Sequence, residues 1–311
     1  MLNVGVIGAG NMGKNHIRNY HEMGDVNLVG IADIDKELLQ EYGDKYNVKT
    51  FTNYNDLLPL IDAVSVVVPT MLHKNVVVDC LNNGVDCLVE KPITSNIKDA
   101  NEMVNTAKKN DRILAVGHIE NFNPVISEVK NLIRTGVLGK VLMISTRRLG
   151  PFVSRITDVG IILDSASHDI AAIKELLNIK SANDLNISSY WKGLNNERGD
   201  YAIITMKFED VLINVEVNWY TPYKLREMII TGTESVVKLT YYDQTVIIYK
   251  LDTEEKLDII KKEPLRLELN DFIYAVTHRT KPRINGVDGV DILKIAMKAD
   301  EIGEINERTV T

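Results

Sequence analysis

The sequence predicts a mixed α/β protein in two parts. Residues 1–119 read as a doubly wound parallel sheet, and residues 120–311 as an α/β (α+β) domain on a large, mainly antiparallel open sheet. Three observations carry that expectation. Short apolar runs alternate with helix-period runs as far as Val116, which is the rhythm of βαβ units. A G-x-G-x-x-G stretch sits between the first apolar run and the first helical pattern. Beyond Gly117 the apolar runs fall at hairpin spacing, as antiparallel pairing requires. At 311 residues the chain also exceeds what one hydrophobic core usually supports, so length alone favours two domains.

Leu2 to Ile7 is a short β-branched run that ends in Gly8-Ala9-Gly10-Asn11-Met12-Gly13. The first glycine allows a tight turn, the second lets backbone approach a pyrophosphate, and the third lets the following helix pack on the strand. Amides at the start of that helix, over Asn11 to Met23, then hold the phosphates. The second strand ends at Asp33, 20 residues past Gly13, where a carboxylate accepts from both ribose hydroxyls and repels a 2′-phosphate. NAD is therefore expected rather than NADP. A helix over Lys36 to Tyr46, a short helix over Asn53 to Leu60 and a strand over Ala63 to Val68 continue the alternation. Pro69 and Thr70 close that strand on its cofactor side. A helix over His73 to Asn83 stops at Gly84, and His73 either flanks the nicotinamide or caps the helix start.

The run from Val85 breaks into Glu90-Lys91-Pro92. Ligands of open parallel sheets bind outside the carboxyl ends of the strands, so a lysine there faces a substrate and can transfer a proton. Pro92 biases Lys91 toward extended geometry, and the competing reading is a surface Glu/Lys turn. A helix over Asn96 to Asn110 and a strand over Ile113 to Val116 follow, and a doubly wound sheet of six strands is expected, five of them with assigned runs.

His118 to Pro124 is a polar crossing segment, followed by a helix to Arg134 that Gly136 ends. Strand-like stretches follow at Val141 to Thr146, Tyr201 to Tyr220, Val236 to Thr240 and Thr245 to Leu251. Little helical sequence is left to cover their sheet, so a homodimer or homotetramer through the C-terminal sheet is expected. Pro264 opens a helix to His278, and Asp288 caps a terminal helix to about Ile302 that can pack back on the first domain. Between these elements Asp164 and His168 lie four apart, on one face of a helix. A carboxylate beside an imidazole can bind a hydroxyl and take its proton, whereas the bland alternative is a solvated pair.

Net charge is −7, with no dominant Lys/Arg block, which argues against a nucleic-acid binder. No stretch approaches the roughly 20 apolar residues of a membrane span. The N-terminus runs straight into a strand without a cationic, apolar leader, so a cytoplasmic location is expected. Cys80 and Cys87 lack CxxC spacing, and neither a metal site nor a disulfide framework is indicated.

Gly8 to Gly13, Asp33, Glu90-Lys91-Pro92 and Asp164-x-x-x-His168 together resemble the Gfo/Idh/MocA oxidoreductases, in order and spacing. The resemblance implies a Rossmann domain, an open antiparallel α/β domain and oxidation of a sugar or cyclitol by a nicotinamide nucleotide. Carried over by position, Lys91 and His168 become the proton-handling pair and Asp164 holds the reacting hydroxyl. Glu90 and His73 join the cofactor contacts. A narrower resemblance, through Gly117 to Pro124 and Arg147-Arg148-Leu149-Gly150-Pro151 to Arg155, Asp158 and Gly160, is to the subgroup containing UDP-N-acetylglucosamine 3-dehydrogenases. It implies a nucleotide-sugar substrate, contacted by Glu120, Asn123, Arg147 and Arg155. Asn121 stands where that subgroup usually has Arg, and Ser165 replaces a larger apolar residue. The alternatives are a dehydrogenase of free inositol or another free sugar and, since the family includes a catalytically silent member, an NAD-binding regulator. Retention of Lys91, Asp164 and His168 argues for the enzyme.

Overall fold

The computed structural model describes residues 1–152, 159–194, 197 and 199–310, excluding the side chains of 305–310. The chain divides into two compact units, Met1–His118 with Leu265–Val290, and Ile119–Pro264 with Asp291–Thr311.

The first unit is built on six strands: β1 (Leu2–Ile7), β2 (Val26–Ala32), β3 (Lys49–Phe51), β4 (Ala63–Val66), β5 (Asp86–Glu90) and β6 (Leu114–Gly117). All pairs are parallel, in the order β3-β2-β1-β4-β5-β6. Helices α1 (Gly13–Glu22), α2 (Lys36–Tyr46), α3 (Thr70–Asn82) and α4 (Ile97–Lys109) supply the crossovers. Residues of β4, β5 and β6 are buried throughout, as parallel strands between helices must be. Strand order reverses between β1 and β4, which makes their carboxyl ends the switch point where such sheets bind ligands.

Local chemistry sets the boundaries. Asp35 caps α2 by accepting from the amides of Glu37 and Leu38, and Asn96 caps α4 by accepting from Asp99. The helix expected over Asn53 to Leu60 is instead two 3₁₀ turns, Tyr54–Asp56 and Leu58–Leu60. Pro59 supplies no N–H to continue an α-helix there. Strand β3 went unforeseen because its three residues are too short to show a period.

The second unit carries an eight-stranded sheet of β7 (Val141–Pro151), β8 (Leu185–Lys192), β9 (Tyr201–Phe208), β10 (Val211–Asn218), β11 (Tyr220–Gly232), β12 (Val236–Thr240), β13 (Thr245–Lys250) and β14 (Thr253–Lys256). Their order is β14-β13-β12-β11-β7-β10-β9-β8, and every pair is antiparallel except β7 with β10. The run expected as Tyr201 to Tyr220 splits into a hairpin at Glu209, whose φ is 51°. Helices α5 (Pro124–Arg134) and α6 (Ser167–Leu176) pack together, and α5 also lies against β12 and β13. Burial alternates along β9, and Ile203 and Leu212 remain about half exposed on its outward side and that of β10.

Helix α7 (Pro264–His278) belongs from Leu265 to the first unit. Helix α8 (Gly286–Val310) groups with the second unit from Asp291, where Trp191 Nε1 donates to the Asp300 carbonyl at 2.9 Å. No helix among the described residues is long and apolar enough to cross a membrane.

Candidate active site

The glycine loop between β1 and α1 is constrained atom by atom. Gly8 has φ +98°, and a Cβ there would lie 2.5 Å from the Val67 carbonyl oxygen. A Cβ on Gly13 would come within 2.0 Å of the Gly8 oxygen, so neither position tolerates a side chain. Gly10 instead faces open space and, like Asn11, is exposed. The amides of Asn11, Met12 and Gly13 meet no acceptor among the described residues, and Met12 provides no side-chain cap. Asp33 stands beside this loop, its Oδ2 accepting from the Ala9 N–H at 2.5 Å and its Oδ1 from the Asp35 N–H at 2.9 Å. The carboxylate is half-buried, and each oxygen retains a lone pair for a ribose hydroxyl. Free helix-start amides, open space over Gly10 and an oriented acid fit a dinucleotide. Pro69, exposed, and Thr70 form the start of α3 after β4.

Lys91 follows β5 and is half-buried; its bond to Pro92 is cis. The carboxylate of Glu90 turns inward. Its Oε1 lies 3.2 Å from His16 Nε2, and its Oε2 accepts from the Lys91 N–H at 3.1 Å. Burial raises the pKa of this carboxyl, but His16 and Lys91 outweigh burial and hold it below its ordinary value. Glu90 is therefore committed within the unit rather than presented to a cofactor, contrary to expectation.

His73 is corrected too. It is 1% exposed, with Nε2 2.9 Å from the Val68 carbonyl and Nδ1 3.0 Å from that of Pro92. Its imidazole ties α3 to the chain after Lys91 and neither caps the helix nor offers a nitrogen to a ligand. His118, 2% exposed beyond β6, has its pKa pushed down to about 3 by burial and by Lys91, so it is neutral.

In the second unit Asp164 lies in a π-helical turn, Ile162–Ala166, that runs into α6, where the sequence suggested one regular helix. Such wide turns often mark functional sites. The Ser165 hydroxyl donates to Asp164 Oδ2 at 3.0 Å, so the residue that departs from the subgroup pattern orients the carboxylate. Asp164 and His168 are both half-buried. Asp169, next in the chain, is 1% exposed and accepts from Arg148 Nε at 2.7 Å and Nη2 at 3.3 Å. Arg148 Nη1 also donates to Glu120 Oε1 at 3.0 Å. Burial opposes the guanidinium charge, but Asp169 and Glu120 outweigh it and raise its pKa.

This network corrects further expectations. Glu120 is 6% exposed and committed to Arg148 rather than to a sugar. Asn123 donates to Glu120 and to the Tyr241 carbonyl while its Oδ1 caps α5. Arg147 points to the other side of β7, donating to Glu216 at 3.1 Å on β10 and lying 3.8 Å from Glu227 on β11. Arg155 and Asp158 lie outside the described residues. Asn121, 0% exposed, donates to the Ala171 carbonyl and to Glu175, so it braces α6 instead of meeting an anion.

His16 escaped the sequence reading, and Arg148, quoted there within the subgroup motif, was not read as a partner of Asp169. Arg148 had a signal, because Ile144, Thr146 and Arg148 share the buried face of β7 by strand alternation. His16 had a weaker one, lying on α1 among the buried positions Gly13, Ile17 and Tyr20.

Comparison with known proteins bears on both units. Residues 2–118 match the oxidoreductase family with an NAD-binding Rossmann fold, and residues 126–238 match the GFO/IDH/MocA C-terminal domain. A UDP-N-acetylglucosamine 3-dehydrogenase of Acidithiobacillus ferrooxidans is 26% identical over 96% of both chains. Its solved structure superposes with a TM-score of 0.89, covering 98% of each chain. The scyllo-inositol 2-dehydrogenase (NAD(+)) of Bacillus subtilis is 27% identical over 94% of this chain and 92% of its own. With both domains matched in order, the chain belongs to the Gfo/Idh/MocA family of NAD(P)-dependent oxidoreductases acting on CH–OH groups.

Proposed function

We propose that the protein oxidises UDP-N-acetylglucosamine at its 3-hydroxyl, with NAD as the oxidant. The observation that carries this reading is the similarity to a UDP-N-acetylglucosamine 3-dehydrogenase along nearly the whole chain, in sequence and in fold. NAD supplies the hydride acceptor when bound. Asp164, fixed by Ser165, orients the reacting hydroxyl through a hydrogen bond. Lys91 and His168 handle the hydroxyl proton. The amides of Asn11, Met12 and Gly13 hold the cofactor's pyrophosphate, and Asp33 its adenosine ribose.

A second reading, oxidation of a free inositol or sugar, is favoured by one feature. Arg147 and Arg148 are engaged by carboxylates, which leaves fewer guanidinium groups for a substrate pyrophosphate. The deciding assay incubates the protein with NAD and a panel of nucleotide sugars, free sugars and inositols while following reduced cofactor. Activity on UDP-N-acetylglucosamine supports the proposal. Activity on inositol or glucose with none on any nucleotide sugar overturns it.

The outward side of β9 and β10 carries Ile203 and Leu212, next to Tyr190 on β8 and Met143 on β7, all exposed. We propose that a second copy of the chain covers this face, because an open apolar sheet is otherwise an aggregation hazard. Light scattering at micromolar concentration should report at least a dimer, and Ile203→Lys should lower the mass toward the monomer.

A further inference from the structure

The two faces of the β7–β11 pair match their charges differently. The strands run antiparallel, with Arg147 opposite Glu227 and Arg148 opposite Arg226. On the outward face the charges alternate in sign. Lys238 lies 2.9 Å from Glu227, and Arg147 lies 3.8 Å from Glu227 and 3.1 Å from Glu216. On the other face the same register sets one guanidinium across from another, which costs stability unless anions intervene.

Two carboxylates are present there, and Arg148 engages both, Asp169 through Nε and Nη2 and Glu120 through Nη1. Arg226 Nη1 stands 3.6 Å from the same Glu120 oxygen, beyond hydrogen-bond reach, and no described residue accepts a hydrogen bond from its guanidinium. Its support is the Tyr242 ring, whose centroid lies 4.7 Å from Arg226 Cζ and 6.0 Å from Lys224 Nζ. Burial, then the neighbouring Arg148, lower the Arg226 pKa, so the acids around it do not offset the hydration it loses. With Arg148, Arg226 and Lys224 set against Glu120 and Asp169, the cluster is positive overall. It opens to solvent, since the Arg226 side chain is 35% exposed and Lys224 and Tyr242 are exposed too. It also lies one strand away from Arg148, whose bond to Asp169 fixes the residue after His168.

We propose that Arg226 and Lys224 form a subsite for the diphosphate of a nucleotide sugar, beside the sugar's place at Asp164 and His168. The inference rests on the nucleotide-sugar reading above, and it supplies the guanidinium that Arg147 and Arg148 do not offer. A guanidinium fork engages two phosphate oxygens at once, and the ammonium adds a second point charge. Two cations over one ring thus match a group with two negative charges better than they match a single sugar carboxylate.

The test titrates UDP, and separately glucuronate as the carboxylate probe, into full-length protein saturated with NAD, so that the dinucleotide site is already filled. Wild type, Arg226→Gln, Arg226→Lys and Lys224→Gln are compared by calorimetry. Arg226→Gln should weaken UDP binding by about 10- to 100-fold, the range of hydrogen bonds to a charged group. Arg226→Lys should recover part of that loss, because it restores the charge without the fork, and Lys224→Gln should weaken UDP by less than Arg226→Gln does. NAD affinity should be equal in all four. With UDP-N-acetylglucosamine as substrate, Arg226→Gln should raise KM by a similar factor and leave kcat nearly unchanged.

UDP bound equally by the wild type and Arg226→Gln, or not bound by the wild type, overturns the inference. So does glucuronate binding that Arg226→Gln abolishes while UDP is unaffected, because the subsite would then be one for a sugar carboxylate. An equal loss of NAD and UDP affinity overturns it as well, since the effect would not belong to a diphosphate subsite. Should Arg226→Gln not fold, Lys224→Gln changes only an exposed side chain and faces the same outcomes. The underlying reading fails separately. UDP binding that depends on Arg226, with no oxidation of UDP-N-acetylglucosamine, keeps the subsite and removes the substrate. Oxidation with an unchanged KM in Arg226→Gln keeps the substrate and removes the subsite.

Discussion

Glu90 and Asp169 are both buried carboxylates, each one residue away from a side chain assigned to proton handling, and the two units compensate them differently. Asp169 receives two donors from a guanidinium, which also holds Glu120. Glu90 receives an imidazole and a main-chain amide. Arginine does not titrate in any accessible range, and its planar fork fixes direction, so the Arg148 cluster amounts to a rigid bracket for the start of α6. The Glu90 cluster pairs its acid with a titratable ring and lies near a second acid, Glu268, that has no partner among the described residues. One unit thus secures its acid with a guanidinium, and the other with an imidazole and a main-chain amide.

The largest expected effects fall on the residues proposed to handle the proton. Lys91→Met and His168→Ala should each lower turnover by about 10²- to 10⁴-fold, the usual contribution of a general acid or base, with NAD affinity retained. Steady-state rates with cofactor titration measure this, and near-normal turnover in either variant would withdraw that residue's role.

Next in size is the contrast between the two brackets. Arg148→Met strands two buried carboxylates and should cost about 3–5 kcal/mol in urea unfolding. His16→Leu leaves Glu90 its main-chain donor and should cost less, about 1–3 kcal/mol. Equal losses would mean that the imidazole bears the same load as the guanidinium, and the contrast would fail.

The smallest effect is a pH dependence from Glu268. Its folded pKa is raised, so its contribution to stability is fully present below the ordinary value of 4.5 and is lost as pH climbs toward the folded value. Glu268→Gln stays neutral throughout and should gain on the wild type as pH rises above 4.5, until the folded acid itself ionises. Denaturant midpoints at several pH values check the trend, and a constant difference would show Glu268 to be ionised in the fold.

The backbone-dictated parts of this protein were legible from its sequence. Gly8 and Gly13 follow from close approaches that admit no Cβ, and Asp33 and Lys91 from their positions at strand ends. Asp164 and His168 were visible through their spacing, although the π-helical turn that carries the first was not. Partners distant along the chain stayed hidden. His16 meets Glu90 across 74 residues, and only the fold brings them together. Arg147 and Arg148 looked alike as neighbours, yet strand alternation sends one to Glu216 and Glu227 and buries the other against Asp169. Strand β8 was overlooked because its polar residues, Asn186, Ser188 and Ser189, mask the alternation.

The most direct measurement of the proposed reaction uses UDP-N-acetylglucosamine carrying deuterium at C3, incubated with NAD and analysed by mass spectrometry. Transfer of the C3 hydrogen to the nicotinamide predicts singly deuterated reduced cofactor together with a 3-keto sugar nucleotide. Reduced cofactor without deuterium, or no reduction while a free sugar or inositol is oxidised, would contradict it.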